Sequence, residues 1–135
     1  MPAGYSGTPL VKKLGIKPGF KIRLVNPPDH YFELLGTLPE DLLFLEDNSQ
    51  LADFVHLFCP DRAFFESQIT LLADEMERNG MIWVSWYKKS AKIPTDLNEN
   101  IIRDTVLQMG LVDVKVCAVD EKWSGLKVVI RKENR

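Results

Sequence analysis

The sequence lacks any run of the eighteen or so apolar residues that a membrane-crossing helix needs. Its start, MPAGYSGTPLVKK, also lacks the basic-then-apolar layout of a secretory signal, so the expected location is the cytoplasm, with no membrane partner. Cysteine is scarce. Cys59 and Cys117 each lie inside an apolar run (VHLFC and VKVCAV), where a free thiol acts as a small buried hydrophobe, with a disulfide or a thiol nucleophile as the lesser reading. Excess charge is missing too: 17 basic and 19 acidic residues give a formal charge of −2, which provides no overall basic field for nucleic acid. Metal-ligand spacing is absent. His56 and Cys59 form one H-x-x-C pair without a second, so His56 reads as a structural histidine within a strand and no metal site is expected. There is no G-x-S-x-G nucleophile turn, which leaves Ser6, Ser85 and Ser124 unaccompanied and Asp29, His30 and Glu33 as an isolated acid–base group.

What remains is an ordinary globular composition, 45% hydrophobic and 27% charged. A chain of 135 residues supports one hydrophobic core, so residues 1–135 are expected to form a single domain. Thr8 as N-cap, Pro9 at the first helical position, Leu10, Leu14 and the terminator Gly15 announce a short helix. Lys17-Pro18-Gly19 turns into a strand, Phe20 to Val25, which Asn26-Pro27-Pro28 closes. A turn or short helix follows from Asp29 to Leu35, and Leu42 to Leu45 reads as another strand.

Ala52 to Phe58 (ADFVHLF) and Met81 to Trp86 (MIWVSW) are near-continuous apolar runs, which suit parallel strands covered by helices on both faces. Between them a helix capped by Asp61 puts Phe65, Ile69, Leu72 and Met76 on one face and ends at Asn79-Gly80. A second helix, from about Leu97 to Met109, takes Thr95 or Asp96 as its cap and stops at Gly110. The alternation in Val112 to Val119 and Leu126 to Arg131, joined by the short DEKWSG linker, predicts an antiparallel hairpin.

This order of elements resembles the class I S-adenosylmethionine-dependent methyltransferase plan, in which a parallel sheet ends with one reversed strand. The blocks YSGTPLVKKLGIKPG, MIWVSWYKKS and GLVDVKVCAVDEKWSGLKVVIR resemble an uncharacterised bacterial domain-of-unknown-function family over nearly the whole chain. The resemblance implies a Rossmann-like α/β domain with three layers and a mostly parallel sheet of five or six strands ending in an antiparallel C-terminal hairpin. In methyltransferases the first strand runs into a glycine-rich turn whose bare backbone approaches the cofactor. Here that turn is Asn26-Pro27-Pro28-Asp29, and proline has no N–H to donate and a fixed φ. About twenty-six residues separate Val25 from Ala52. Two full strand–helix–strand excursions would need on the order of sixty, so the domain reads as truncated. Glu46 or Asp47 after LLFL fits either a turn or a ribose-binding acid.

A doubly wound sheet places its cleft at the carboxyl ends of its strands. Asn26, Ser85, Trp86, Tyr87, Lys88, Lys89 and Thr95 are therefore the candidate ligand-binding residues, with no catalytic residue assigned. Aromatic faces, ammonium groups and a helix N-terminus suit an anionic ligand. The favoured expectation is a non-catalytic domain that binds an anionic small molecule or a protein partner and needs no cofactor. The alternative is a divergent S-adenosylmethionine-dependent enzyme with a rebuilt pocket. Trp123, in a turn, is expected to cover the sheet edge or a partner chain, a homodimer included.

Overall fold

A computed structural model describes residues 8–135. Four helices, α1 (Leu10–Leu14), α2 (Tyr31–Leu35), α3 (Arg62–Ala73) and α4 (Glu99–Gln108), accompany six strands. The strands are β1 (Lys21–Val25), β2 (Leu43–Leu45), β3 (Ala52–Phe58), β4 (Met76–Tyr87), β5 (Leu111–Ala118) and β6 (Trp123–Ile130). They form one sheet in the order β2-β1-β3-β4-β6-β5. Pairing is parallel from β2 through β4 and antiparallel on both sides of β6, so β6 is the one reversed strand. The fold is thus the α/β, mostly parallel, Rossmann-like arrangement with an antiparallel C-terminal hairpin that the sequence implied.

Two cores sandwich the sheet. On one face α3 and α4 supply Phe65, Ile69, Leu72, Ile102 and Val106 against Val55, Leu57, Ile82, Val84, Leu126 and Val128. On the other, α1 and α2 supply Val11, Leu14, Tyr31 and Leu35 against Ile22, Phe54, Phe58 and Trp83. The apolar runs of β3 and β4 are continuous because both of their faces are covered. The Trp83 indole N–H donates to the Leu14 carbonyl at 2.8 Å, which ties the end of α1 to the middle of the sheet.

Several boundaries depart from expectation. Thr8 does not cap α1: Pro9 is the cap residue, and its carbonyl accepts from the N–H groups of Lys12 and Lys13. α3 is capped by Asp61 as expected, its carboxylate accepting from Phe64 N–H at 2.8 Å, but it ends at Ala73. Met76 opens β4 opposite Ala52, and the chain makes an irregular excursion through Asn79-Gly80 before Met81 pairs with Phe54. The cap of α4 is Asn98, which accepts from Ile101 N–H at 3.0 Å, and not Thr95 or Asp96. Trp123 is the first residue of β6, not a turn residue, and is only 7% exposed. No helix among the described residues is long and apolar enough to cross a membrane.

Candidate functional site

The winding of the sheet reverses between β1 and β3, because the chain leaves β1 outward to β2 and then returns to β3 on its other side. In such sheets the space outside the carboxyl ends at this point is the usual ligand crevice. Here it is tied across. Asn26 adopts φ 57°, the left-handed conformation that asparagine tolerates, and its side-chain amide donates to the Phe58 carbonyl at 3.1 Å. The two prolines that follow offer no backbone donor. Asn26 is therefore a brace between strand ends.

Ser85 does not reach the surface. Its hydroxyl meets His56 Nε2 at 2.8 Å, the Tyr31 hydroxyl meets His56 Nδ1 at 2.8 Å, and His56 and Ser85 are both fully buried. Burial lowers the His56 pKa from 6.5 to about 3 and pushes the Tyr31 phenol up. The neutral imidazole thus donates from one nitrogen and accepts at the other. His56 also stacks on Phe58, with centroids 4.1 Å apart, in the structural role its sequence suggested. Cys59, also buried, has its thiol pushed up by burial and by nearby Asp61, which disfavours thiolate chemistry.

The other candidates converge one strand further along. At the end of β4, Trp86, Lys88 and Lys89 meet the approach to α4, and two adjoining hollows of about 360 and 590 Å³ share these residues and Asn98. Tyr87, Thr95 and Asp96 line the first; Ser90, Asn100 and Ser124 line the second. Lys88 is held by its backbone N–H, which donates to the Lys122 carbonyl at 2.9 Å. Thr95 donates to the Pro60 carbonyl at 2.9 Å and accepts from Leu97 N–H at 3.2 Å. Asp96 accepts from Arg62 N–H at 2.8 Å, so its carboxylate serves the start of α3. Among the described residues neither Lys88 nor Lys89 forms an ion pair. Glu99, at the start of α4, binds Arg103, which also reaches Asp113 at 2.9 Å. Two ammonium groups without carboxylate partners beside a helix N-terminus can hold an anion.

Trp86 is 8% exposed, so it supplies a wall and not an open stacking face. Tyr87 stacks on Trp123 at 4.2 Å and Phe58 meets Trp123 edge-on at 5.1 Å, which directs the Trp123 indole into this chain's own core. His30 joins neither Asp29 nor Glu33. It pairs with Asp120 at 2.9 Å beside a separate hollow of about 240 Å³. The other oxygen of Asp120 accepts from the N–H groups of Lys122 and Trp123, both at 2.8 Å. Sequence reasoning missed Asp120, Asn98 and Asn100. Asp120 carried a signal, as a turn-forming acid at the start of DEKWSG, and so did Asn98, as a cap-forming residue three positions before Ile101. No group of three or more potential metal ligands occurs among the described residues.

No family model and no curated protein matches the chain. Solved structures do. The ribosomal protein L11 methylase of Lactobacillus delbrueckii subsp. bulgaricus is 9% identical with a TM-score of 0.56, over 90% of this chain and 75% of that one. A putative methyltransferase from Thermoplasma acidophilum is 11% identical with a TM-score of 0.55, over 93% and 75%. Magnesium protoporphyrin IX methyltransferase from Synechocystis PCC 6803, solved with bound SAM, is 13% identical with a TM-score of 0.57, over 90% and 74%. At such identities the likeness is one of fold.

Proposed function

We propose that this chain is a methyltransferase-fold protein that binds an anionic small molecule in the Trp86–Lys88–Lys89 cleft, displaced from the usual crevice at the switch point. The observation that carries this reading is the pair of lysines without carboxylate partners facing the first turn of α4. Lysine ammonium groups and the α4 N-terminus would bind the anion, and the edges of Trp86 and Tyr87 would bound the rest of the ligand. The test is a thermal-shift screen of phosphates, nucleotides and carboxylates. Some anion is expected to stabilise the native chain in proportion to its concentration, and Lys88→Ala with Lys89→Ala is expected to remove that response. If both proteins respond alike to every anion, the cleft reading fails.

A second reading, S-adenosylmethionine-dependent methyl transfer, is favoured by the fold comparison, since the similar structures are methyltransferases and one holds SAM. On that side of the balance the comparisons weigh more than they do for a non-catalytic role. The residues at the switch point do not fit the cofactor in its usual seat, because Asn26 bridges to Phe58 and prolines replace the bare backbone. Bound elsewhere, the cofactor would supply the methyl group. Calorimetric titration with S-adenosylmethionine separates the two readings: stoichiometric heat establishes the enzyme-like one, and its absence favours the anion cleft.

A further inference from the structure

Lys115 of β5 and Lys127 of β6 stand directly opposite each other in the antiparallel ladder. Like charges at such a position repel and destabilise a sheet, so a free chain gains nothing from them. The crowding extends outward. The Lys115 ammonium donates to the Lys13 carbonyl at 3.4 Å, and the Lys13 ammonium reaches the Ala118 carbonyl at 3.5 Å. Partial burial lowers the Lys127 pKa, and Lys115 and Lys17 lower it further by repulsion. Among the described residues none of Lys13, Lys17, Lys115 and Lys127 forms an ion pair. On this face Trp83 is the β4 neighbour of Lys127, and it is buried beneath the end of α1. α1 itself adds cations, Lys12 and Lys13, and no acid.

The small net charge conceals this arrangement. Residues 24–61 contain eight acidic residues and no lysine or arginine, so all 17 basic residues lie outside that segment. A local cluster of lysines is thus compatible with a formal charge of −2.

We propose that the surface formed by Lys115 and Lys127 of the hairpin with Lys13 of α1 beside them is a second anion site, which takes adjacent phosphates as found in polyphosphates or along an RNA backbone. Phosphates suit it because several ammonium groups share a short stretch of surface and Trp83, the aromatic paired with Lys127, is buried, which leaves charge in place of base stacking as the means of recognition. This surface shares no residue with the lining of the cleft at the end of β4.

The test uses inorganic tripolyphosphate and a twelve-residue oligouridylate as probes, with polyglutamate as a competing polyanion. The native chain should bind at least one phosphate probe. The change Lys115→Gln with Lys127→Gln should weaken that binding about tenfold or more and lower the salt dependence by about one to two counterions. The same change should leave the free protein at least as heat-stable, because it relieves a repulsion; Lys127→Glu, which creates an opposite-charge pair, should do so more clearly. Lys88→Ala with Lys89→Ala should leave this binding in place. Tripolyphosphate binding alone identifies a small polyphosphate as the ligand; salt-sensitive oligouridylate binding with weak tripolyphosphate binding identifies a nucleic-acid backbone. No binding of either probe, equal binding by the glutamine variant, or equally tight binding of polyglutamate overturns the proposal.

Discussion

His56 connects α2 to β4 through two side-chain hydrogen bonds while fully buried, and this has a consequence for pH. Its folded pKa of about 3 lies below the ordinary 6.5, so the unfolded chain takes up the proton first. The stability linked to this group is complete above pH 6.5 and is lost as pH falls through the window from 6.5 towards 3. Lowering the pH from 7 to 5 should cost on the order of 2 kcal/mol, read from urea midpoints, and His56→Gln should flatten that dependence. Tyr31→Phe tests the other end of the chain of bonds. It leaves His56 Nδ1 without its partner in the core and should destabilise by about 1–3 kcal/mol, whereas an unchanged urea midpoint would show that the bond contributes nothing net.

Among the elements, the first half of β4 holds the least expected structure. A Cβ added at Gly80 would lie 3.0 Å from the carbonyl oxygens of Ala52 and Glu77 and 3.1 Å from that of Asp53. These are backbone atoms that cannot turn aside, so Gly80→Ala should destabilise by about 1–3 kcal/mol in chemical denaturation. The sequence read this stretch as a helix end because Met76 falls four residues after Leu72 and Asn-Gly is a strong stop signal. Local signals could not show that Met76 pairs with Ala52, twenty-four positions away. By contrast β3 was legible to the residue, since an unbroken apolar run bounded by turn residues suits few other structures. The α4 cap was misplaced for a similar reason. Thr95, Asp96 and Asn98 are all good cap residues, and only tertiary contact assigns Asp96 to α3 and Thr95 to the Pro60 carbonyl.

For the whole molecule, the mostly parallel sheet with its antiparallel C-terminal hairpin was readable, but its consequences for the site were only partly so. Trp86, Tyr87, Lys88, Lys89 and Thr95 do meet around one cleft. Asn26 and Ser85 do not join them, because a strand's carboxyl end can be braced or buried as well as open, and no sequence pattern distinguishes these outcomes. The Lys115–Lys127 pair was hidden for a similar reason, since register across a hairpin depends on the irregularity between Asp113 and Lys115. Central placement of β4 makes a firm expectation. Val84 is fully buried with β3 on one side and β6 on the other, so Val84→Asp should destabilise by about 3–5 kcal/mol, and an unaltered denaturation curve would mean that β4 is peripheral.

The position of β6 constrains the route by which the chain folds. β5 is made before β6 yet ends up two places from β4, with β6 filling the place between them. If β5 docked on β4 first, as the preceding α4 crossover would allow, it would occupy a lane about 4.8 Å wide that belongs to β6 and would have to come away again. A route that closes the local β5–β6 hairpin first and adds it to β4 as one unit avoids that conflict. On this topology the turn from Val119 to Lys122, held by Asp120, is expected to influence the rate of folding.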